Sequence, residues 1–211
     1  MVADKSTATT PPLENGDRLT RIEFERRYAA MPNLKKAELI EGVVYVPAAL
    51  RFRNHGQPHA NLIGWLWFYK IATPKVELGD NVTVRLDLDN APQPDAVLLI
   101  DGGQANISSD DYVEGAPELV VEVAASSAAY DLYDKKRAYR RNGVREYLVW
   151  RVYENEFDWF YLEADENGII RSLTFPGLWL AIEALLSGEM QQVLAVLQQG
   201  LDSAEHQEFG K

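Results

Sequence analysis

Two acidic residues stand beside short apolar segments, where carboxylates are uncommon. Asp95 follows Pro94 immediately before the apolar run 96–100, and Glu122 interrupts the apolar run 119–123. Continuous apolar runs of this length are typical of strands that are buried on both faces. Because an unpaired buried carboxylate is strongly unfavourable, Glu122 needs a cation or a metal ion as its partner.

Each of these carboxylates also has a structural interpretation. Pro94 cannot donate a ladder hydrogen bond, so it marks the start of a strand and leaves Asp95 at the edge of a sheet. In that position Asp95 could simply cap a turn. Glu122 could form a buried salt bridge, with Arg145 or Lys136 as the partner. The sequence leaves these alternatives open.

A lysine joins the two carboxylates through the geometry of a helix predicted over residues 131–142, which Gly143 terminates. Leu132 and Tyr139 define the inward face of this helix. Lys135 lies three residues after Leu132 and four before Tyr139, so it belongs to the same face. Alternatively, its long side chain could extend to the solvent at the rim of the core.

Two carboxylates and a lysine suit the hydrolysis of a phosphodiester bond. Mg²⁺ prefers oxygen ligands and binds through one or two carboxylates together with substrate phosphate, and Mn²⁺ can substitute for it. A bound metal lowers the pKa of a water molecule, and a lysine stabilises the charge of the transition state. The sequence therefore predicts a metal-dependent phosphodiesterase site at Asp95, Glu122 and Lys135.

The charge distribution bears on whether this substrate is DNA. The net charge is −11, whereas nucleic-acid-binding domains are usually basic. Residues 131–151 nevertheless hold seven basic residues against three acidic ones. This local excess predicts contacts with DNA phosphates from Lys136, Arg137, Arg140 and Arg141, although most such runs are solvated helix faces.

The remaining pattern predicts an α/β domain with a central mixed sheet flanked by helices. A capping box of Thr20 and Glu23 is expected to start the first helix, and Gly42 is expected to mark a turn or bulge in the first strand. Residues 102–117 are rich in turn formers. Helices are predicted over 20–31, 59–70, 131–142 and around 190–197, and strands over 37–46, 82–88, 96–100, 119–123, 147–152 and 157–162.

Composition limits the class of protein further. The chain has no cysteine and three histidines, which argues against disulfides and cysteine- or histidine-rich zinc sites. No apolar run is long enough to span a membrane, and residues 1–12 do not resemble a secretory signal, so a cytoplasmic enzyme is expected. We expect one nuclease domain over residues 19–201, between a flexible lead-in (1–18) and a C-terminal tail (202–211).

Several motifs occur together in an order that resembles the Uma-two-type restriction endonuclease family, part of the PD-(D/E)xK nuclease superfamily. The resemblance covers roughly residues 20–185. The motifs are Ala37-Glu38-Leu39-Ile40-Glu41-Gly42, His59, Gln93-Pro94-Asp95, Glu114-Gly115-Ala116-Pro117, Leu119-Val120-Val121-Glu122-Val123 and Asp131…Lys135…Tyr139…Gly143-Val144-Arg145-Glu146-Tyr147.

The resemblance implies a restriction-endonuclease-like fold, Mg²⁺ dependence, and a homodimer that addresses the two strands of DNA. It implies that Asp95 and Glu122 bind the metal, with the backbone carbonyl of Val123 as a further ligand. The supporting positions that it implies are Glu38, Glu41, His59 and Tyr139.

The chain also departs from the family pattern. Ala124 stands where the superfamily has its signature lysine, and Lys135 on the following helix is the expected replacement. Residues 125–128 read Ala-Ser-Ser-Ala where the family has Ser-Pro-Ser-Thr, and the segment that leads to Asp131 is one residue shorter. An alternative function is therefore a catalytically inactive protein that keeps the nuclease fold for binding or as a scaffold.

Overall fold

The computed structural model of the protein describes residues 10–125 and 130–210. The unusual segment between Ala125 and Asp131 lies largely outside the described residues, as does the first half of the expected lead-in. Within the described ranges, no helix is both long enough and apolar enough to cross a membrane.

A mixed five-stranded sheet forms the centre of the described part of the chain, as the sequence predicts. Its strands run in the order β10-β9-β8-β5-β3, with β8 and β9 parallel and the other pairs antiparallel. The strands of this sheet are β3 (Val76–Asp80), β5 (Ala96–Ile100), β8 (Leu119–Ala124), β9 (Glu146–Arg151) and β10 (Glu156–Trp159).

Helices and smaller sheets cover both faces of the central sheet. The helices are α1 (Arg21–Ala29), α2 (Gln57–Ala72), α3 (Lys136–Asn142), α4 (Ile182–Leu186), α5 (Met190–Leu201) and α6 (Ala204–Phe209). The smaller sheets consist of β1 (Glu38–Ile40) with β2 (Val43–Tyr45), β11 (Ile169–Arg171) with β12 (Trp179–Ala181), and β4 (Val84–Arg85) with β6 (Asn106–Ile107) and β7 (Val113–Glu114).

The residues of β8 alternate between two hydrophobic cores. Val121 and Val123 pack in the core that contains α2 and α5, whereas Val120 and Ala124 pack in the core that contains Tyr139 of α3. Because side chains on a strand alternate between faces, Glu122 points to the same side as Val120 and Ala124. The alternation thus directs Glu122 towards α3.

The first predicted strand is a hairpin. β1 and β2 are antiparallel, and Glu41 and Gly42 between them have φ angles of 52° and 74°. Two successive residues with positive φ are typical of the tight turns that suit the twist of a hairpin. The turn expected at Gly42 is therefore confirmed.

Helix boundaries differ from the predictions at both early helices. Thr20 precedes α1 without a side-chain capping bond, and the carboxylate of Glu23 binds the guanidinium groups of Arg26 and Arg27 in place of the amide of Thr20. Charge-assisted bonds of this kind are stronger than a bond to a neutral amide. A π-helical turn (Phe52–Gly56) leads directly into α2, which begins at Gln57, whereas the sequence predicted that this helix begins at residue 59.

One strand prediction is too long, and one strand of the central sheet is not predicted. The strand expected over 82–88 is reduced to β4, because the amides of Leu86 and Asp87 donate to the carbonyl of Asn90 and close a turn. The edge strand β3 is not predicted, since Gly79 weakens its pattern. A Cβ atom at Gly79 would lie 2.9 Å from the side chains of Val82 and Val97.

Both ends of the described chain are more ordered than expected. Leu13 is buried, and the amide of Val44 donates to the carbonyl of Asp17, so residues 10–18 pack against the β1–β2 hairpin. Helix α6 lies in the expected tail. Its buried His206 contacts the Thr73 hydroxyl at 2.9 Å through Nε2.

Candidate active site

The pairing of β5 with β8 brings Asp95 and Glu122 together. Ala96 pairs with Val121, so one further step along the antiparallel ladder sets Asp95 opposite Glu122. Oδ2 of Asp95 accepts a hydrogen bond of 2.8 Å from the amide of Val123. Both carboxylates are 3% exposed. Asp95 is therefore an oriented, buried carboxylate and not a cap of a surface turn.

Glu122 accepts hydrogen bonds from two side chains on the helical segment that covers it. Oε1 of Glu122 receives Nζ of Lys135 at 2.9 Å and the hydroxyl of Tyr139 at 3.0 Å. Burial raises the pKa of Glu122 to about 8, although the positive charge of Lys135 opposes the shift. The ion pair is formed by Lys135, and neither Arg145 nor Lys136 takes this place.

Lys135 occupies the centre of a buried carboxylate cluster. Its Nζ lies 2.9 Å from Oε1 of Glu38, 2.9 Å from Oε1 of Glu122 and 3.4 Å from Oδ1 of Asp131. Burial by itself would lower the pKa of Lys135, but these carboxylates raise it well above its usual value. Lys135 is therefore a buried ammonium, which confirms its predicted inward face and excludes extension to solvent.

The supporting acidic residues separate into two locations. Glu38 belongs to the cluster and also accepts a hydrogen bond of 2.7 Å from the amide of Gln93, two residues before Asp95 in the chain. Glu41 lies at the hairpin turn and pairs with Arg141 at 2.7 Å. Asp131 is a member that sequence reasoning missed, although its spacing of four residues from Lys135 on a helix indicates the contact.

His59 contacts the backbone of Asp95, whereas His55 contacts its carboxylate. Nε2 of His59 lies 3.1 Å from the backbone carbonyl oxygen of Asp95. Nε2 of His55 and Nζ of Lys36 each lie 3.5 Å from Oδ1 of Asp95. The sequence analysis did not single out His55 or Lys36, because both come from segments that the fold brings to Asp95.

A pocket of about 490 Å³ opens onto these side chains. Two polar atoms at its wall, Nε2 of His55 and the hydroxyl of Tyr130, are buried without a hydrogen-bond partner among the described residues. Buried polar atoms are normally paired, so such groups indicate a missing ligand or water molecule. The residues of the candidate active site that line this pocket are Glu38, Asp95, Glu122, Val123, Asp131 and Lys135.

The chemistry of this pocket suits a hard divalent cation. Four buried acidic side chains (Glu38, Asp95, Glu122, Asp131) face one buried ammonium group, so negative charge remains in excess even when Glu122 is protonated. In the described residues both hydrogen bonds to Glu122 go to Oε1, so Oε2 can take another ligand. Within these same ranges no three carboxylates or imidazoles already surround one point, and a cation would have to draw the oxygens together.

Two of the four basic residues predicted to contact DNA are paired with carboxylates of the protein. Arg141 binds Glu41 and Asp87, and Arg137 lies 3.4 Å from Glu41. Lys136 stacks over the ring of Phe160 with Nζ 3.5 Å from its centroid. Arg140 is exposed. None of these four residues lines the pocket, so the structure separates them from the carboxylate cluster.

The fold of the protein is similar to that of a solved structure. A similar structure is that of a protein from Anabaena variabilis described as "a putative nuclease belonging to DUF820". It has a TM-score of 0.58 and 14% sequence identity, and the match covers 77% of this chain and 96% of that one. The two proteins therefore share a fold.

The sequence itself identifies the family. The model of the Uma2 family, described as "Putative restriction endonuclease", matches residues 22–196. The chain belongs to this family, which confirms the resemblance seen in its motifs. No curated protein matches the sequence.

Proposed function

We propose that the protein is a Mg²⁺-dependent endonuclease that hydrolyses phosphodiester bonds in DNA, with Asp95, Glu122 and Lys135 as its catalytic residues. The observation behind this proposal is the approach of two buried carboxylates on neighbouring strands, one of which binds a buried lysine at 2.9 Å. Membership of a restriction endonuclease family supports a nuclease. The homodimer, the PD-(D/E)xK assignment and the cytoplasmic location remain predictions.

In this proposal Asp95, Glu122 and the backbone carbonyl of Val123 hold the metal, and Mn²⁺ can replace Mg²⁺. A divalent cation there supplies charge neutralisation at the phosphate and a water molecule of lowered pKa. The bond from the amide of Val123 to Oδ2 of Asp95 turns Oδ1 towards the pocket. Oε2 of Glu122 accepts no hydrogen bond from a described residue, and the contacts of Oδ1 of Asp95 with Lys36 and His55 are 3.5 Å long.

Lys135 has an electrostatic role in the proposed reaction. Because its pKa is raised, the side chain stays protonated at neutral pH and cannot act as a general base. A fixed positive charge next to Glu122 stabilises the negative charge that develops on the phosphate oxygens. Tyr139 positions Glu122 through its hydrogen bond, and Glu38 positions Lys135 through its ion pair; of these two, only Glu38 lines the pocket.

Two further groups in the pocket are suited to the substrate phosphate. The hydroxyl of Tyr130 and Nε2 of His55 have no hydrogen-bond partner among the described residues and can donate to phosphate oxygens. Both atoms are buried, and the low effective dielectric of a buried position strengthens each such bond. An oxygen-rich anionic ligand, bound together with a cation, would complete the hydrogen bonding of this pocket.

The alternative is a catalytically inactive protein with the nuclease fold. The observation in its favour is that Lys135 already binds three carboxylates, as a purely structural ion cluster would. The net charge of −11 also disfavours unaided binding of DNA. If the protein is a nuclease, the binding of a divalent metal and the cleavage of DNA depend on the same side chains. If it is inactive, they do not.

The test is cleavage of plasmid and linear DNA with Mg²⁺ or Mn²⁺. Asp95→Asn and Glu122→Gln should each reduce the rate about 100-fold or more, because each removes a charged ligand. Glu146→Gln is the matched control, since Glu146 is equally buried but binds Trp159 and Ser172 away from the pocket. Thermal unfolding of every variant verifies folding. Absence of both metal binding and cleavage in the unaltered protein would support the inactive alternative.

A further inference from the structure

The mouth of the pocket differs in chemistry from its acidic floor. We call the side chains at the mouth (Leu50, Arg51, Asn54 and Tyr153) the rim. They come from the segment before α2 and from the turn between β9 and β10. The amide of Asn54 donates a hydrogen bond of 3.2 Å to the hydroxyl of Tyr153, which connects the two segments. The rim is therefore a shared surface built from distant parts of the chain.

Large apolar side chains are exposed at this rim. Leu50 is 63% exposed and Tyr153 is 59% exposed, and Phe52, on the turn that follows Arg51, is 75% exposed. Apolar groups concentrated next to a polar pocket indicate a binding surface. An exposed tyrosine ring offers a flat face on which another planar group can stack.

The rim also carries positive charge that the protein does not neutralise. Arg51 is exposed and forms no ion pair with a described residue, and the same holds for Arg53 two residues later. Arg137 and Arg141, by contrast, are paired with Glu41. In a protein of net charge −11, the unpaired Arg51 at the pocket mouth, with Arg53 two residues further along the chain, favours an anionic ligand there.

We propose that the rim binds single-stranded nucleic acid and that the substrate class of the site is DNA with unpaired nucleotides beside the scissile phosphate. This inference builds on the proposed function. Exposed aromatic rings next to arginines are the combination that binds single strands, because bases stack on the rings while the cations follow the backbone. In a duplex the faces of the bases are hidden within the stack, so Leu50 and Tyr153 would gain nothing from it.

The depth of the carboxylates supports the same substrate. Asp95 and Glu122 are 3% exposed at the floor of the pocket, so the scissile phosphate must leave the surface and enter. A flexible single strand can bend its backbone into a cavity, whereas the stiff backbone of a duplex must be deformed to do so. The unpaired strand therefore reaches the carboxylates at a lower energetic cost.

The experiment measures binding by fluorescence anisotropy of a labelled oligonucleotide of about 16 nucleotides and of its blunt duplex. Ca²⁺ replaces Mg²⁺, because it takes similar oxygen ligands. We expect the single strand to bind at least about fivefold more tightly than the duplex. Tyr153→Ala should weaken single-strand binding at least about fivefold, and Tyr153→Phe, which keeps the ring, should retain it. Arg51→Ala should reduce the salt slope by about 0.7.

Two control variants locate the surface. Tyr161→Ala removes a tyrosine that is 70% exposed outside the rim and should leave binding unchanged. Arg140→Ala removes an exposed arginine of α3. Loss of binding in Arg140→Ala but not in Arg51→Ala would overturn the inference and assign the nucleic acid to α3. Equal affinity for both DNA forms, unaffected by Tyr153→Ala, would also overturn it.

Cleavage separates this inference from the proposed function. If single strands bind at the rim but no DNA is cleaved, the proposed nuclease function is contradicted and the inference about the rim is supported. The opposite result is cleavage that requires Asp95, acts on duplexes alone and is unaffected by Tyr153→Ala or Arg51→Ala. It would support the proposed nuclease function and contradict the inference about the rim.

Discussion

The ammonium group of Lys135 lies 2.9 Å from Oε1 of Glu122, and both side chains are buried. This ion pair connects the π-helical turn Asp131–Lys135, which directly precedes α3, to the central strand β8. It lies beside Asp95, the second carboxylate of the candidate active site. The pair therefore has a structural role in the free protein, in addition to the catalytic role that we propose for it.

Replacement of the buried ammonium tests that structural role. Lys135→Met keeps the volume of the side chain but leaves the carboxylates of Glu38, Glu122 and Asp131 without their shared cation. We expect the free energy of unfolding in urea to fall by about 3–5 kcal/mol, as when one partner of a buried ion pair is removed. Lys136→Met, one residue along, removes a cation–π contact and should cost no more than about 1 kcal/mol. Equal losses in the two variants would contradict a stabilising ion pair.

The raised pKa of Glu122 predicts a pH dependence of metal binding. Burial raises this pKa to about 8, so protonated Glu122 must lose its proton to bind a cation below that pH. The affinity for Mn²⁺ should therefore increase from about pH 6 towards pH 8 and then level off, with release of a proton on binding. Calorimetry in two buffers of different ionisation enthalpy measures this release. Glu122→Gln should abolish it, and proton release that persists in this variant would contradict the assignment.

Close backbone packing predicts a strong effect at a glycine remote from the pocket. A Cβ atom on Gly200 of α5 would lie 2.2 Å from the carbonyl oxygen of Gly177, which cannot move aside easily. Gly200→Ala should lower the free energy of unfolding by about 1–3 kcal/mol. Gly64 of α2 has open space, and Gly64→Ala should raise stability by about 0.5–1 kcal/mol. Thermal unfolding of both variants checks the packing of α5. If Gly200→Ala leaves the stability of the protein unchanged, this packing is contradicted.

The positions of Glu122 and Lys135 could be predicted because each depends on local periodicity. Glu122 interrupts a strand that is apolar on both faces, and Lys135 shares a helix face with Tyr139. Strands and helices repeat with fixed periods, so these orientations follow from the sequence within one element. The structure confirms both, and it adds the hydrogen bond from Tyr139 to Glu122.

The other members of the site depend on contacts between distant segments. Lys36 and His55 approach Asp95 from segments separated from it by many residues, and no local pattern indicates this. The basic residues of α3 are a second example. Their charge excess is visible in the sequence, but the pairing of Arg137 and Arg141 with Glu41 and Asp87 depends on the hairpin and a loop folding against α3.

The central claim is that Asp95 and Glu122 bind one divalent metal ion. Anomalous diffraction from crystals soaked in Mn²⁺ tests it most directly, because the ion is located independently of any activity. We predict an anomalous peak in the pocket within coordination distance of carboxylate oxygens of both Asp95 and Glu122, and its loss in Asp95→Asn. A protein that cleaves DNA while its Mn²⁺ peak lies away from these two carboxylates would contradict the account.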